Sequence, residues 1–255
     1  MNQHTMNPSL KPGLLTVLIP NYNYGRYIGE AIASVAAQDY PDIELIVVDD
    51  GSSDDSLAAI ARALAATPRF AAAKVLALKP NGGKLAAINA ALGDIHGEYL
   101  ITLDADDRLT PNYAARCIAE LTALRRADPH IGIIYSDCLL IDSAGQVIDR
   151  GRSTDFDVEL LQNNSYIPEP ALVITAAFLE VTPFDTTIKV GTKHHKWRRM
   201  VANGWHGRHI AEPLFHYRMH DRNISGIGNR VYEEIAQGRP GGERLLSGYW
   251  VTARS

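Results

Sequence analysis

The chain has 255 residues, 46% hydrophobic and 21% charged, with a net charge of −4. That is the make-up of an ordinary folded protein able to bury a core, and without a long basic stripe it does not suit a nucleic-acid partner. No apolar run approaches the roughly 18–20 residues that cross a bilayer, and the polar start from Met1 to Lys11 lacks a signal-peptide core. Cys117 and Cys138 form neither a metal spacing nor a disulfide framework and read as buried free thiols, which fits a reducing cytoplasm. A soluble cytoplasmic protein is expected, with contact at the cytoplasmic face of a membrane left open.

Residues 1–13, with Pro8, Pro12 and Gly13, read as a flexible lead-in. Leu14 to Ile19 is a short apolar run closed by Pro20, as in a central strand, and after the loop Asn21 to Gly25 the residues Ile28, Ala31, Ile32 and Val35 recur at helical spacing. Ile43 to Val48 predicts a second buried strand. It ends in Asp49-Asp50-Gly51-Ser52-Ser53-Asp54, with Ser52 or Ser53 as N-cap of a helix carrying Leu57, Ile60, Ala61 and Leu64. A third strand is expected over Lys74 to Leu78, followed by the Gly82-Gly83 turn and a helix through Leu85, Ile88, Ala91 and Leu92. Tyr99 to Leu103 is the fourth strand, with Pro111 in the first turn of the next helix.

Four strand–helix alternations imply a largely parallel sheet covered by helices on both faces. In such sheets the loops leaving the strands' carboxyl ends share one edge, where ligands bind. Asp49-Asp50 and Asp104-Ala105-Asp106-Asp107 both leave carboxyl ends, so they should face one cleft. Acids packed at a strand end repel each other unless a cation neutralises them, and hard divalent ions such as Mg²⁺ or Mn²⁺ take carboxylate and phosphate oxygens. A metal–diphosphate site is one reading, and a solvated acidic loop or helix N-cap is the other. Lys84, at a helix start, suits phosphate or plain solvent.

Beyond residue 130 short strands are expected over Ile131 to Tyr135, Cys138 to Ile141 and Gln146 to Asp149, with a hairpin turn at Asp142 to Gly145. Ala171 to Thr175 precedes a short helix, and Lys193 to Asn203 reads as helical. Arg230 to Gln237 suits a further short helix, with a hinge over Gly238 to Gly242.

Three segments in order, Thr16 to Asn23, Ile46 to Asp54 and Gly97 to Asp107, resemble glycosyltransferase family 2, whose fold is the Rossmann-like α/β GT-A type with a smaller mixed acceptor-side region. The resemblance implies one domain over 14–225, with a nucleotide-sugar-binding half at 14–127, an acceptor-side half at 128–225 and a C-terminal extension at 226–255. It implies transfer of a sugar from a nucleotide sugar, a UDP-sugar in this reading, to a hydroxyl of a glycan, glycolipid or cell-wall intermediate, with inversion. It also assigns donor contacts to Pro20, Asn21, Tyr22, Asp49, Asp50, Lys84, Asp104 and Ala105. Tyr22 would stack near the base and Asp50 would accept a base N–H. Asp104, Asp106 and Asp107 would hold Mn²⁺ or Mg²⁺, with His220 of the segment Pro213 to His220 completing the shell.

One departure stands out. Aligning on Trp197 and Arg199 places Thr192-Lys193 where the family carries Glu-Asp, the Asp being the general base. An unperturbed lysine, with a pKa near 10.4, cannot accept a proton at neutral pH, so Lys193 is a poor substitute unless burial depresses it by several units. The adjacent His194 and His195 titrate in a useful range, and on a helix only one of them could face the acceptor. A displaced acid, or a nucleotide-binding scaffold that has lost the base, are the alternatives. A nucleotidyltransferase or NAD domain lacks support, since the loop after the first strand carries no Gly-rich phosphate signature.

Overall fold

Continuous apolar runs put the centre of this molecule in its first hundred residues. The computed structural model describes residues 10–67, 69–223, 227–239 and 244–253. Strands β1 (Lys11–Asn21), β2 (Ile43–Asp49), β3 (Ala72–Ala77) and β4 (Gly97–Thr102) lie parallel in the order β4-β1-β2-β3. Helices α1 (Ile28–Ala36), α2 (Ser56–Ala66) and α3 (Lys84–Ala91) connect them, and α4 (Tyr113–Arg125) follows β5 (Arg108–Leu109). From Leu14 onward β1 is buried, as is the whole of β2, so neither strand alternates with polar residues. Val17, Leu18 and Ile19 are fully covered, and truncating such a residue to Ala costs about 2–5 kcal/mol.

The second half adds β6 (Ile131–Ile141), β7 (Val147–Arg152), α5 (Val158–Asn163), β8 (Leu172–Ile174), α6 (Thr175–Leu179), α7 (Thr192–Ala202), β9 (His206–Arg218), α8 (Ile227–Ala236) and β10 (Arg244–Leu245). Its strands belong with those of the first half to one sheet, ordered β10-β7-β6-β8-β4-β1-β2-β3 with β5 and β9 off this path. The join is β8, antiparallel to both β4 and β6. β9 runs parallel to β6 and reaches β5 through Phe215 and His216, which brings its end to the loop after β4.

Several boundaries differ from expectation. β1 starts at Lys11 rather than Leu14, because the Lys11 N–H donates to the His96 carbonyl and the Gly13 N–H to Glu98, each at 2.8 Å. β3 is mostly exposed, since it forms the sheet edge. The two strands expected between 131 and 141 are one: Asp137, which looks like a break, is buried between Ser153 N–H, His209 and Arg150. Pro111 precedes the α4 N-cap Asn112 instead of entering the helix. Of the expected hinge, Pro240 to Gly242 lie outside the described residues.

Register fixes the site's position. Asn21 pairs with Asp49, and Leu18 with Thr102, so the loops beginning at Tyr22, Asp50 and Leu103 leave one edge together.

Candidate active site

The carboxyl ends of β1, β2 and β4 open into a cleft of about 510 Å³. Pro20 to Tyr24, Asp50, Lys84, Asp104, Ala105 and Asp106 line it. Asp50 is 2% exposed, and its two carboxylate oxygens accept the N–H groups of Gly82 (2.9 Å) and Gly83 (2.6 Å). Gly83 makes that approach at φ +89°, a conformation other residues rarely adopt. Asp49 does not line the cleft: it is 1% exposed and accepts from the Asn21 side chain at 2.8 Å and the Ser52 N–H at 3.1 Å. It braces the loop that carries Asn21, and so differs from the donor contact expected of it. Tyr22 stands at the mouth, 46% exposed.

Asp104, Asp106 and Asp107 each offer an oxygen within 4.8 Å of the others. Asp104 is ion-paired to Lys84. Asp106 meets His220 Nε2 at 2.8 Å, and since His220 Nδ1 accepts the Arg222 N–H, the ring proton sits on Nε2 and is donated to Asp106. Asp107 is wholly buried; its Oδ1 accepts the Arg218 N–H at 2.9 Å, and its Oδ2 has no hydrogen-bond partner among the described residues. Burial first, then the neighbouring Asp106 and Asp104, push the Asp107 carboxyl well above the usual range. Three crowded carboxylates with one orphaned buried oxygen fit a hard divalent cation better than they fit one another. His220 adjoins this group through Asp106, stacked on Tyr27 at 5.4 Å and edge-on to Tyr24 at 5.7 Å.

Lys189 to Lys193, Tyr217, Arg222, Asn223, Trp250 and Val251 also line the cleft. The N-cap of α7, Gly191, has φ +69°, and a Cβ there would lie 2.4 Å from Ala253 N, so the C-terminal segment packs directly on this turn. Lys193 faces the cleft, with its Nζ 3.1 Å from the Trp250 ring centroid. Burial pushes its ammonium well below the usual lysine range. The expectation that His194 or His195 faces the acceptor is not met, because successive helical residues turn by 100°. His194 is fully buried, its Nε2 against the Leu161 carbonyl at 2.6 Å and its Nδ1 accepting the Ala253 N–H at 3.0 Å. His195 turns to Phe184, edge-on at 6.2 Å. Burial lowers the pKa of both.

The model of the family described as Glycosyl transferase family 2 matches residues 16–178, from β1 to α6. The chain belongs to glycosyltransferase family 2. An uncharacterized glycosyltransferase of Nostoc sp. is 30% identical over 227 residues, covering 82% of this chain and 66% of that protein. Chondroitin synthase of Pasteurella multocida is 31% identical over 138 residues, covering 54% of this chain and 14% of the synthase. Among solved structures, mannosyltransferase PcManGT from Pyrobaculum calidifontis, in complex with GDP-Man and Mn²⁺, superposes with a TM-score of 0.64 at 20% identity, covering 92% of this chain and 66% of that one. S. aureus TarS in complex with UDP gives 0.62 at 20% identity, covering 82% and 61%. The chain therefore spans no more than 66% of any of these four proteins. The structural likeness establishes the GT-A type fold.

Within this family 2 chain, the matched segment supplies Asp50, Lys84 and the acidic trio, whereas Lys193, His220 and Trp250 come from beyond it. Sequence reading missed Glu169, which is 2% exposed and ion-paired to both Lys84 and the fully buried Lys196. It also missed Arg218, which is fully buried, donates to the Asp106 carbonyl at 2.8 Å and meets Glu30 at 2.6 Å. An acid before a proline and an arginine at a strand end carry no local signal; only the fold shows their partners. Among the described residues, no helix is long and apolar enough to cross a membrane.

Proposed function

We propose that this chain transfers a glycosyl group from a nucleotide sugar, a UDP-sugar in our reading, to an acceptor oxygen, with inversion and with Mn²⁺ or Mg²⁺ as cofactor. The observation that carries the reading is the convergence of Asp50 with Asp104 and Asp106 in one cleft, at the carboxyl ends of parallel strands. Each Asp50 oxygen keeps a lone pair beyond the backbone N–H it accepts, so it can take a base N–H. Tyr22 offers an exposed ring for the base to stack on.

Asp104, Asp106 and Asp107 would hold the cation, with His220 orienting Asp106. The bound ion supplies neutralising charge for the departing nucleoside diphosphate. Lys84, now on Asp104, adds a second cation beside the same phosphates. The neighbours support a nucleotide donor: TarS is in complex with UDP, and PcManGT with GDP-Man and Mn²⁺. A glycan, glycolipid or cell-wall intermediate is the acceptor the family suggests. The buried free thiols Cys117 and Cys138 favour a cytoplasmic site of action.

Calorimetry with a panel of nucleoside diphosphates, with and without Mn²⁺, tests the donor site. Metal-dependent binding of one nucleotide, weakened at least about tenfold in Asp106→Ala, is expected. Absence of binding refutes the reading. A second reading, nucleotide binding without transfer, draws on Lys193 standing where a base is expected; turnover of a nucleotide sugar with any acceptor disposes of it.

A further inference from the structure

Lys84 opens α3, where the positive end of a helix disfavours an ammonium, yet its Nζ is held there by two carboxylates, Asp104 Oδ1 and Glu169 Oε2. The two are unequal partners. Glu169 is 2% exposed and is also ion-paired to the fully buried Lys196, so it keeps a counter-ion whether or not Lys84 stays. Asp104 is the least buried of the acidic trio, and among the described residues its side chain accepts from Lys84 alone. Asp106 and Asp107 have other supports, His220 and the Arg218 N–H.

An ammonium and a divalent cation that seek the same carboxylate repel each other, so they compete for it. Lysine suits such an exchange: its charge is compact, its four-carbon stem is flexible, and it has three donors. We infer that Lys84 is an internal counter-ion that competes with the divalent cation for Asp104, and that Glu169 is a positioning residue that keeps the displaced ammonium beside the donor phosphates. This rests on the donor site proposed above and adds how its two cations share the acids. Metal alone has to break the Lys84–Asp104 pair and leaves Lys84 with Glu169 only. Phosphate oxygens then give the ammonium a second partner again. Cation and nucleotide are thereby coupled through Lys84, in addition to any contact between them, and by linkage each strengthens the other by the same factor.

A purely structural tie makes a different prediction. If Lys84 only braced Asp104, its removal would loosen the acid and weaken metal and nucleotide together. Competition requires the two affinities to move in opposite directions.

The test titrates the full chain by calorimetry with Mn²⁺ alone, and with UDP and GDP at saturating Mn²⁺. Lys84→Met leaves Glu169 its Lys196 partner and leaves Asp104 part-exposed, so it should melt cooperatively. It is expected to bind Mn²⁺ alone at least about tenfold more tightly than the parent, and the nucleotide about tenfold less tightly. Lys189→Met removes a cation from the same cleft, but one that donates to the Gly82 carbonyl at 2.6 Å, and should keep Mn²⁺ affinity within about threefold of the parent's. Glu169→Gln combined with Lys196→Met leaves no buried charge unpaired and should weaken the nucleotide about tenfold. Mn²⁺ affinity that is unchanged or weaker in Lys84→Met overturns the exchange, as does an equal gain in Lys189→Met. Unchanged nucleotide affinity in the Glu169→Gln double variant removes Glu169 from its positioning role. A parent that binds neither Mn²⁺ nor nucleotide refutes the donor site itself; a parent that binds both, with no opposed shifts in Lys84→Met, refutes the exchange alone.

Discussion

Replacing Glu169 by Gln tests how the two halves of the cleft are tied together. Glu169 stands between Lys84 and Lys196, and Lys84 keeps a second partner in Asp104. The orphan in the variant is therefore Lys196, which has no exposed surface. Removing one partner of a buried pair costs about 3–5 kcal/mol. In a chain of this size 1 kcal/mol moves Tm by about 2–4 °C, so Glu169→Gln should melt about 6–20 °C below the parent at neutral pH. Burial pushes the Lys196 ammonium below the usual lysine range already in the parent, and loss of the carboxylate pushes it lower still in the variant, which therefore gains more on deprotonation. Between that lowered value and the ordinary one the unfolded chain binds more protons than the folded chain, so stability rises with pH across the window. The deficit should shrink on going from neutral pH to about pH 10. Adding Lys196→Met should recover most of the loss, because apolar groups replace buried ion pairs at little cost. Differential scanning calorimetry decides it. A single variant within about 2 °C of the parent, or a double variant no better than the single, would refute the orphaned-charge argument.

Gly191→Ala should cost about 1–2 kcal/mol for the left-handed backbone and displace residues 250–253, seen as a lower denaturant midpoint with altered Trp fluorescence. His194→Gln should lose about 1–3 kcal/mol by unsettling its two buried hydrogen bonds. With its folded pKa lowered, His194 takes up its proton more readily in the unfolded chain, so parent stability falls as pH drops below about 6.5 and the variant's decline should be shallower. Loss of an acidic limb from its pH–rate profile would restore His194 as a base. Asp50→Ala leaves the Gly82 and Gly83 N–H groups without their acceptor, and nucleotide affinity should fall about tenfold by calorimetry; unchanged affinity would remove Asp50 from the donor site.

The part of the cleft proposed to hold the donor was legible in the sequence because each of its elements is local. An apolar run followed by acids announces a strand and its loop, and the parallel-sheet rule then places Asp50, Asp104 and Asp106 together without any knowledge of distant contacts. The lining from the second half was not legible in the same way. Which α7 residue faces the cleft depends on the rotational phase of the helix, set by Gly191 packing on Ala253, and a pattern of neighbouring His and Lys residues cannot report it. Asp137 looks like a strand break because the partners that satisfy it, Arg150, Ser153 and His209, are supplied by other segments. Trp250 reaches the cleft from the last residues of the chain, with Arg244 anchored on Asp149 and Glu234 in the same segment.

The acidic trio shows why the two halves must be considered as one site. All three aspartates come from the loop after β4, yet their partners come from elsewhere. Asp106 has His220, Asp107 has the Arg218 N–H, and Asp104 has Lys84, which is tied through Glu169 to Lys196 on α7. Two of those supports lie at the end of β9, beyond the segment that matches the family, and β9 reaches the loop by pairing with β5 just after the acids. A chain cut after α6 would keep all three aspartates and lose Arg218, His220 and Lys196. The buried Asp107 would then have neither its hydrogen bond nor its cover, and its charge would be free to repel the other two. In the proposed metal site the motif supplies the carboxylates, and the second half sets the spacing at which they would share one ion.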